Sequence, residues 1–454
     1  MEKLKDSIDF GSMSIGGLFR RLFIPTLFGM VFSIIFIITD GVFVGRGIGS
    51  DALAAVNVAA PLFLINTSIA LMFGVGASVV ASIHLSQHNL KAARINMTQA
   101  IGVTVLVCIV MCTLIMLNLE SVARLLGASD RLLPLAVEYM FWFVPFLPFS
   151  SVLTAGMFCI RLDKSPNYAM TCNIIAASIN MFLDYYFIYR LGWGMYGAAL
   201  ATSFGYIIGS ILVLTYMFMP CHPLHFIRIK MSLKSLKLTV RNVGYMCRMG
   251  ASSFLSQISI AFMMFIGNYV FMKYIGEDGV AAYSITCYLF PIIFMVYNAI
   301  AQSTQPILSY NYGAGLPHRV QAAFRLSLYI AIANGTLMFL AFGFCSPWIV
   351  SMFLDDSNLA YKIAINGLPL FATGYVCFGI NVVSIGYFQS LERDRTANLL
   401  TVLRGFIFMT LCFWFLPQWL GTKGIWLAVP TAETLTFLCL VMVYNRRRKS
   451  SCAR

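Results

Sequence analysis

The chain has 454 residues, of which 59% are hydrophobic and 11% charged, a balance that excludes a water-soluble globule. Its formal net charge of +14 would suit a nucleic-acid partner, but the basic residues fall in loops between apolar runs of roughly 20 residues, the length a helix needs to cross a bilayer. The composition predicts an all-α polytopic membrane protein.

The predicted spans are Leu22–Val44, Ala54–Ser82, Ile95–Leu117, Val137–Met157, Tyr168–Tyr189, Ala198–Met219, Ala251–Met272, Ala281–Leu308, Ala322–Phe344, Ile363–Phe388, Asn398–Leu416 and Ile425–Tyr444. The first is too long for a signal-peptide core and lacks a small-residue cleavage pattern, so it reads as a membrane helix. The 12 cysteines lie almost all inside these runs and form no CxxC, which predicts packing residues rather than a disulfide framework or zinc site.

With the N-terminus in the cytoplasm, 24 of the lysines and arginines fall on the inside and 7 on the outside. By the positive-inside rule both termini are then cytoplasmic; the expected location is the inner or plasma membrane of a prokaryote. Four parts are expected: an N-terminal six-helix lobe over 1–219, a basic linker over 220–249, a C-terminal six-helix lobe over 250–445 and a basic tail over 446–454. In the linker, Leu233, Leu236, Val240 and Val243 recur at helical spacing opposite Lys234, Lys237 and Arg241, which predicts an amphipathic helix lying on anionic lipid. Cys221, His222 and His225 are too few and too loop-bound to define a metal site. All five histidines fall in cytoplasmic loops, so none is placed as a proton relay within the bilayer.

The two halves repeat. Ile48-Gly-Ser-Asp-Ala-Leu-Ala-Ala55 parallels Ile275-Gly-Glu-Asp-Gly-Val-Ala-Ala282 at an offset of 227, and Arg161-Leu-Asp-Lys164 meets Ser390-Leu-Glu-Arg393 with a slip of two residues. Two six-span bundles in the same orientation, related by a pseudo-two-fold axis along the membrane normal, is an arrangement common in secondary transporters.

Acids inside apolar runs mark functional sites, because a carboxylate is costly in a bilayer. Asp184 stands in the run Ile174–Ile188, with Asn180 one helical turn before it on the same face. Asp40 and Glu433 are the other two. At offsets of 227 to 229 Asp40 faces Gly267, Asn180 and Asp184 face apolar residues between Ile407 and Phe413, and Thr202 falls opposite Val429. The polar cluster therefore belongs to one half, which favours a dedicated ion site. Asp40, Tyr139, Asn180, Asp184 and Thr202 are the expected cation-coupling residues. Na⁺ is a possible metal at Asp40, Asn180, Asp184 and Thr202, since hard cations prefer oxygen; a proton is the alternative coupling ion, and no other cofactor is expected. Pro25 removes a hydrogen bond early in the first span, where a bend would move Asp40; an ordinary membrane-helix proline is an equal reading. Glu433 with Arg404 reads as a structural ion pair of the C-terminal half. Gln257, Phe262, Asn268, Tyr288 and Gln302 are candidate substrate-lining residues, suited by amide and aromatic character to amphipathic cations.

Pro25 followed by Thr39-Asp-Gly-Val-Phe-Val-Gly45, then Asn180-Met-Phe-Leu-Asp184, Gly197-Ala-Ala-Leu-Ala-Thr202 and Gln305-Pro-Ile-Leu-Ser-Tyr-Asn-Tyr-Gly-Ala-Gly315, resemble the signatures of the multidrug and toxic compound extrusion (MATE) family. The acid pair in the first and fifth spans is similar to the branch containing bacterial DNA-damage-inducible and archaeal members. The resemblance implies two six-helix bundles in a V, alternating access, and multidrug efflux of organic cations and amphipathic compounds by antiport with Na⁺ or H⁺. It matches the five cation-coupling residues above to the family's N-lobe site and Pro25 to a proline linked with bending on protonation. Many members carry a glycine in the loop that reads Arg161-Leu-Asp-Lys-Ser-Pro166 here, so flexibility there is not implied. The expected partners are small-molecule substrates and membrane lipid, without nucleic acid, for a monomer that is not an enzyme. A flippase for lipid-linked saccharides is the alternative, disfavoured because the basic residues stay in loops. A membrane-embedded enzyme is disfavoured for want of a nucleophile, base or metal cluster.

Overall fold

A computed structural model of the chain describes residues 8–229, 232–354 and 359–452. Of the basic residues used to orient the chain, Lys3, Lys5, Lys230 and Arg454 lie outside the described residues. The helices are α1 (Ile15–Gly47), α2 (Ser50–Ser86), α3 (Leu90–Leu117), α4 (Leu119–Leu125), α5 (Leu133–Phe143), α6 (Leu147–Leu162), α7 (Pro166–Asp184), α8 (Gly194–Phe218), α9 (Leu233–Tyr274), α10 (Glu277–Gly313), α11 (Pro317–Phe344), α12 (Ser346–Ser351), α13 (Leu359–Ala372), α14 (Tyr375–Ser390), α15 (Asp394–Val402), α16 (Phe408–Leu420) and α17 (Thr422–Cys452). Every predicted span falls on this helical framework, and the described residues contain no strand.

Several spans are broken where the sequence reading drew one rod. The fourth is α5 and α6 joined by a 3-10 turn at Val144–Phe146, because Pro145 and Pro148 withdraw two backbone donors within four residues. The tenth is α13 and α14, bent by 46°. At that bend Gly374 meets Pro430, and an added Cβ would lie 2.8 Å from the proline Cα. The fifth and eleventh spans each widen into π-helix, at Tyr185–Arg190 and Leu403–Ile407. The amphipathic segment of the linker is not a separate helix. It forms the first turns of the 42-residue α9, continuous with the seventh span, since no proline separates the two stretches. Leu233, Leu236 and Val240 are exposed there, while Gln99 of α3 donates to Thr239 Oγ1 at 2.8 Å and accepts from Asn242 at 3.3 Å.

The chain divides into two compact units. The first takes the described residues through Phe254 together with Ser309–Pro317; the second takes Leu255–Leu308 and the described residues from His318 onward. In the first, α1 lies along α7, α2 along α3 and α6, and α8 against α5, α6 and α7. A Cβ on Gly76 would collide with the Met246 carbonyl, and one on Gly250 with that of Met72. Only glycine lets α2 and α9 approach so closely, the small-residue packing expected of membrane helices. Phe10 is seated here too: its carbonyl accepts from Asn311 at 3.1 Å and its ring stands 5.5 Å from that of Tyr310. Beside it, Asp9 accepts from the Ser12 hydroxyl and the Gly11 N–H, and these bonds hold its carboxyl below the usual range. In the second unit α17 packs along α13, α14 and α16.

The duplication is written into the backbone. Left-handed residues recur in pairs: Gly49 with Gly276, His88 with Gly315 and Gly194 with Gly421, each 227 apart, and Lys164 with Glu392, 228 apart. The capping bonds repeat with them. Asn89 N–H bonds to His84 O as Leu316 does to Asn311 O, and Ser165 N–H bonds to Ile160 O as Arg393 does to Phe388 O. These 6→1 bonds around a left-handed residue satisfy the orphan carbonyls at a helix end.

Candidate functional site

The five expected coupling residues come from four helices of the first unit: Asp40 from α1, Tyr139 from α5, Asn180 and Asp184 from α7, and Thr202 from α8. The local sequence explains how they meet. Asn180 and Asp184 are one turn apart, and α7 ends at Asp184, where the π-helical stretch begins. Such stretches are frequent at functional sites. Gly205 allows α8 to close on α7: an added Cβ would lie 2.9 Å from the Ala176 carbonyl and 3.1 Å from Asn180 Cβ. Thr202, three residues earlier on α8, thereby comes within reach, and Asn180 Nδ2 donates to its Oγ1 at 3.3 Å.

Asp184 is fully buried, Asn180 and Tyr139 nearly so. The Asp40 and Asp184 carboxyls are immediate neighbours, with Tyr139 and Thr202 beside them. Four buried oxygens of this cluster receive no hydrogen bond from the protein: Oδ1 of Asp40, both oxygens of Asp184, and Oδ1 of Asn180. Among the described residues, no other buried carboxylate oxygen lacks a donor. A buried acceptor without a donor is costly, and a buried charge without a partner more so. A proton shared between the acids, or a hard cation bound by these oxygens, would remove that cost.

Sequence reasoning missed one neighbour, Tyr206, one turn after Thr202 on α8. Its phenol faces Asp40 and Tyr139. Its ring stacks on Phe63 at 6.0 Å and meets the edge of Phe36 at 6.4 Å. The i,i+4 spacing from Thr202 was the available signal, but an aromatic in a membrane helix reads as packing.

The other acids differ in kind. Glu433 accepts from Arg404 Nε at 2.7 Å and from Asn381 Nδ2 at 2.8 Å, all three groups being buried. Arg404 also lies over the Phe378 ring at 4.6 Å. Asp163, buried at the end of α6, accepts from Tyr216 OH at 2.8 Å and the Leu224 N–H at 3.0 Å, with His222 Nδ1 3.7 Å away. The candidate lining residues are spread along α9 and α10. Phe262 packs on Phe406 at 5.2 Å, Tyr288 is exposed and stacks on Phe353, Asn268 is exposed, and Gln257 and Gln302 are half-buried. Among the described residues no group of three His, Cys, Asp or Glu side chains converges.

A duplicated, all-helical membrane protein whose unpartnered buried acids, among the described residues, lie in one half defines a class: the polytopic transporters built from two repeats. The sequence pattern of the MatE family matches residues 25–186 and again 252–414, so the second match starts at 252 against 25 for the first, the same offset of 227. The chain belongs to the MatE family, and with it to membrane transporters rather than enzymes. It is 25% identical over 445 residues to the FAD transporter of Shewanella oneidensis, covering 95% of each chain. It is 22% identical over 425 residues to the multidrug export protein MepA of Staphylococcus aureus, covering 92% of this chain and 91% of the relative. An outward-facing multidrug resistance MATE transporter of the MOP superfamily has the same two-lobe, twelve-helix fold, with a TM-score of 0.88 at 21% identity over 98% of both chains.

Proposed function

We propose that this transporter is a multidrug exporter of organic cations and amphipathic compounds, driven by antiport with Na⁺ or H⁺ at the Asp40/Asp184 cluster through alternating access. One observation carries the reading: four buried oxygens in one half have no donor, while the buried acid of the other half has two. Ion binding neutralises the acid pair, and substrate and ion then exclude each other because the empty site favours positive charge. The ion shifts the cycle only by its different affinity for the two states. The rings of Phe36, Phe63 and Tyr206 beside Asp40 suit an organic cation through their faces. The relation to MepA supports drug export. The distribution of basic residues supports both termini on the cytoplasmic side of the inner or plasma membrane, the exposed apolar turns at the start of α9 support contact with anionic lipid, and a monomer is the expected state.

A second reading takes its cargo from the FAD transporter of Shewanella oneidensis. A flavin would stack on the same aromatic rings, but its pyrophosphate would meet acids, and the buried Arg404 is engaged by Glu433. The cation reading is therefore preferred.

Efflux of ethidium and of FAD from proteoliposomes, under ΔpH and ΔNa⁺ imposed separately, tests both. Asp40→Asn and Asp184→Asn should each abolish ion-driven ethidium efflux with expression intact. Undiminished gradient-driven transport by both variants would sink the coupling site, and FAD transport without ethidium transport would favour the second reading.

A further inference from the structure

We propose that Asn173, outside the ion site, is a positioning residue for it: its amide clamps α1 to α7 at the Gly29 carbonyl and so sets where Asp40 stands relative to Asp184. The inference rests on the coupling role proposed for that acid pair.

Asn173 Nδ2 donates to Gly29 O at 3.2 Å and lies 3.1 Å from Ser33 Oγ, which itself donates to Gly29 O at 3.1 Å. The Gly29 carbonyl only accepts, so the amide orientation is fixed by chemistry. Gly29 is buried, and an added Cβ would lie 3.6 Å from Asn173 Nδ2. The three groups form a closed polar junction between two helices whose surroundings are largely apolar.

The junction lies on the same seam as the acids. From Gly29 to Asp40 is 11 residues and from Ser33 is 7; from Asn173 to Asp184 is 11 and to Asn180 is 7. Steps of 7 and 11 are close to two and three whole turns, so all of these residues share the facing surfaces of α1 and α7, roughly 10–16 Å apart along the helices. The clamped carbonyl is also the one that the helix ladder assigns to the Ser33 N–H. Side-chain donors that compete for it weaken that turn. Two turns earlier Pro25 gives no N–H to the Arg21 carbonyl. Helix α1 is therefore softened at two turns, 21–25 and 29–33, and pinned to α7 at the second. The pinned turn fixes one end of the lever whose other end carries Asp40. Without the pin the helix drifts as a whole, and an ion held by both carboxyls is held by one. The groups facing the pair are Tyr139 from α5, Asn180 from α7, and Thr202 and Tyr206 from α8; all are neutral, and none supplies a negative charge in place of the missing carboxyl.

The test titrates the purified full chain with H⁺ and with Na⁺, followed by tryptophan fluorescence, alongside ethidium efflux from proteoliposomes. Asn173→Leu should require about ten times more coupling ion at the midpoint, the scale of losing one to two hydrogen bonds. Asn173→Gln, which keeps the amide donors, should restore the midpoint. A lower maximal rate with an unshifted midpoint in Asn173→Leu would overturn the proposal, as would a shift that Asn173→Gln fails to restore. If Asn173→Leu does not fold, Ser33→Ala is read by the midpoint criterion alone: a smaller shift in the same direction supports the clamp, and none overturns it. Asp40→Asn and Asp184→Asn run in parallel; if both titrate and transport as the parent does, the coupling reading falls rather than the clamp alone.

Discussion

At the scale of single residues, the decisive property of an acid in this protein is its set of donors. Glu433 and Asp184 are both buried in apolar surroundings, yet Glu433 has a guanidinium and an amide while Asp184 has neither. On the function proposed above, the first is a structural group and the second awaits an incoming positive charge. Removing one partner from a buried ion pair leaves the other charge uncompensated. Arg404→Leu should therefore destabilise the protein by about 3–5 kcal/mol, while Arg404→Leu with Glu433→Leu together should cost less than the single change, since no orphaned charge remains. Thermal unfolding of the detergent-solubilised variants measures both, and a double variant less stable than the single would contradict the assignment. In the sequence, Asp40, Asp184 and Glu433 stand out because each is costly in its run. Asn173 and Tyr206 do not, because a neutral amide or an aromatic in a membrane helix needs no special partner, and only the packing of α1, α7 and α8 shows what they face.

At the scale of elements, the repeat visible in the sequence reappears in how helices end. His88, Lys164 and Glu392 hold left-handed backbone with φ of 58°, 68° and 56°. The partner of His88 in the repeat is Gly315, at 69°. A side chain with a Cβ costs roughly 1 kcal/mol there, and glycine is spared it. Lys164→Gly should thus stabilise the protein by about 0.5–1 kcal/mol, read as a raised unfolding temperature. A fall in that temperature would show instead that Lys164 makes a contact outweighing its backbone cost. The apolar run lengths made the spans legible, and the repeat made the two lobes legible. The breaks were less so. Proline positions foretell weakened turns, but the bend at Thr373–Gly374 depends on Pro430 lying against Gly374, a contact 56 residues away in sequence. The π-helical stretches likewise follow from packing against neighbours, which periodicity does not encode.

For the whole molecule, the topology expected from the sequence puts most of the lysines and arginines on one side of the membrane, leaving 7 on the other and Arg404 paired with Glu433 inside it. Such a bias sets orientation because cytoplasmic loops retain lysine and arginine. The protein carries its own reporters for the result. Among the described residues two cysteines are exposed, Cys221 after α8 and Cys345 between α11 and α12. In that topology Cys221 falls on the basic side, in the linker, and Cys345 on the opposite side. Leaving aside Cys452 in the tail, the other described thiols are buried or half-buried, and exposure governs whether a thiol meets a reagent in water. With the N-terminus inside, a membrane-impermeant maleimide added to intact cells should label Cys345 and leave Cys221 untouched, whereas inverted vesicles should reverse the pattern. In a Cys452→Ser background, Cys345→Ser should remove the signal from intact cells and Cys221→Ser that from inverted vesicles, which assigns each signal to its residue. Labelling of Cys221 in intact cells would place the basic face outside.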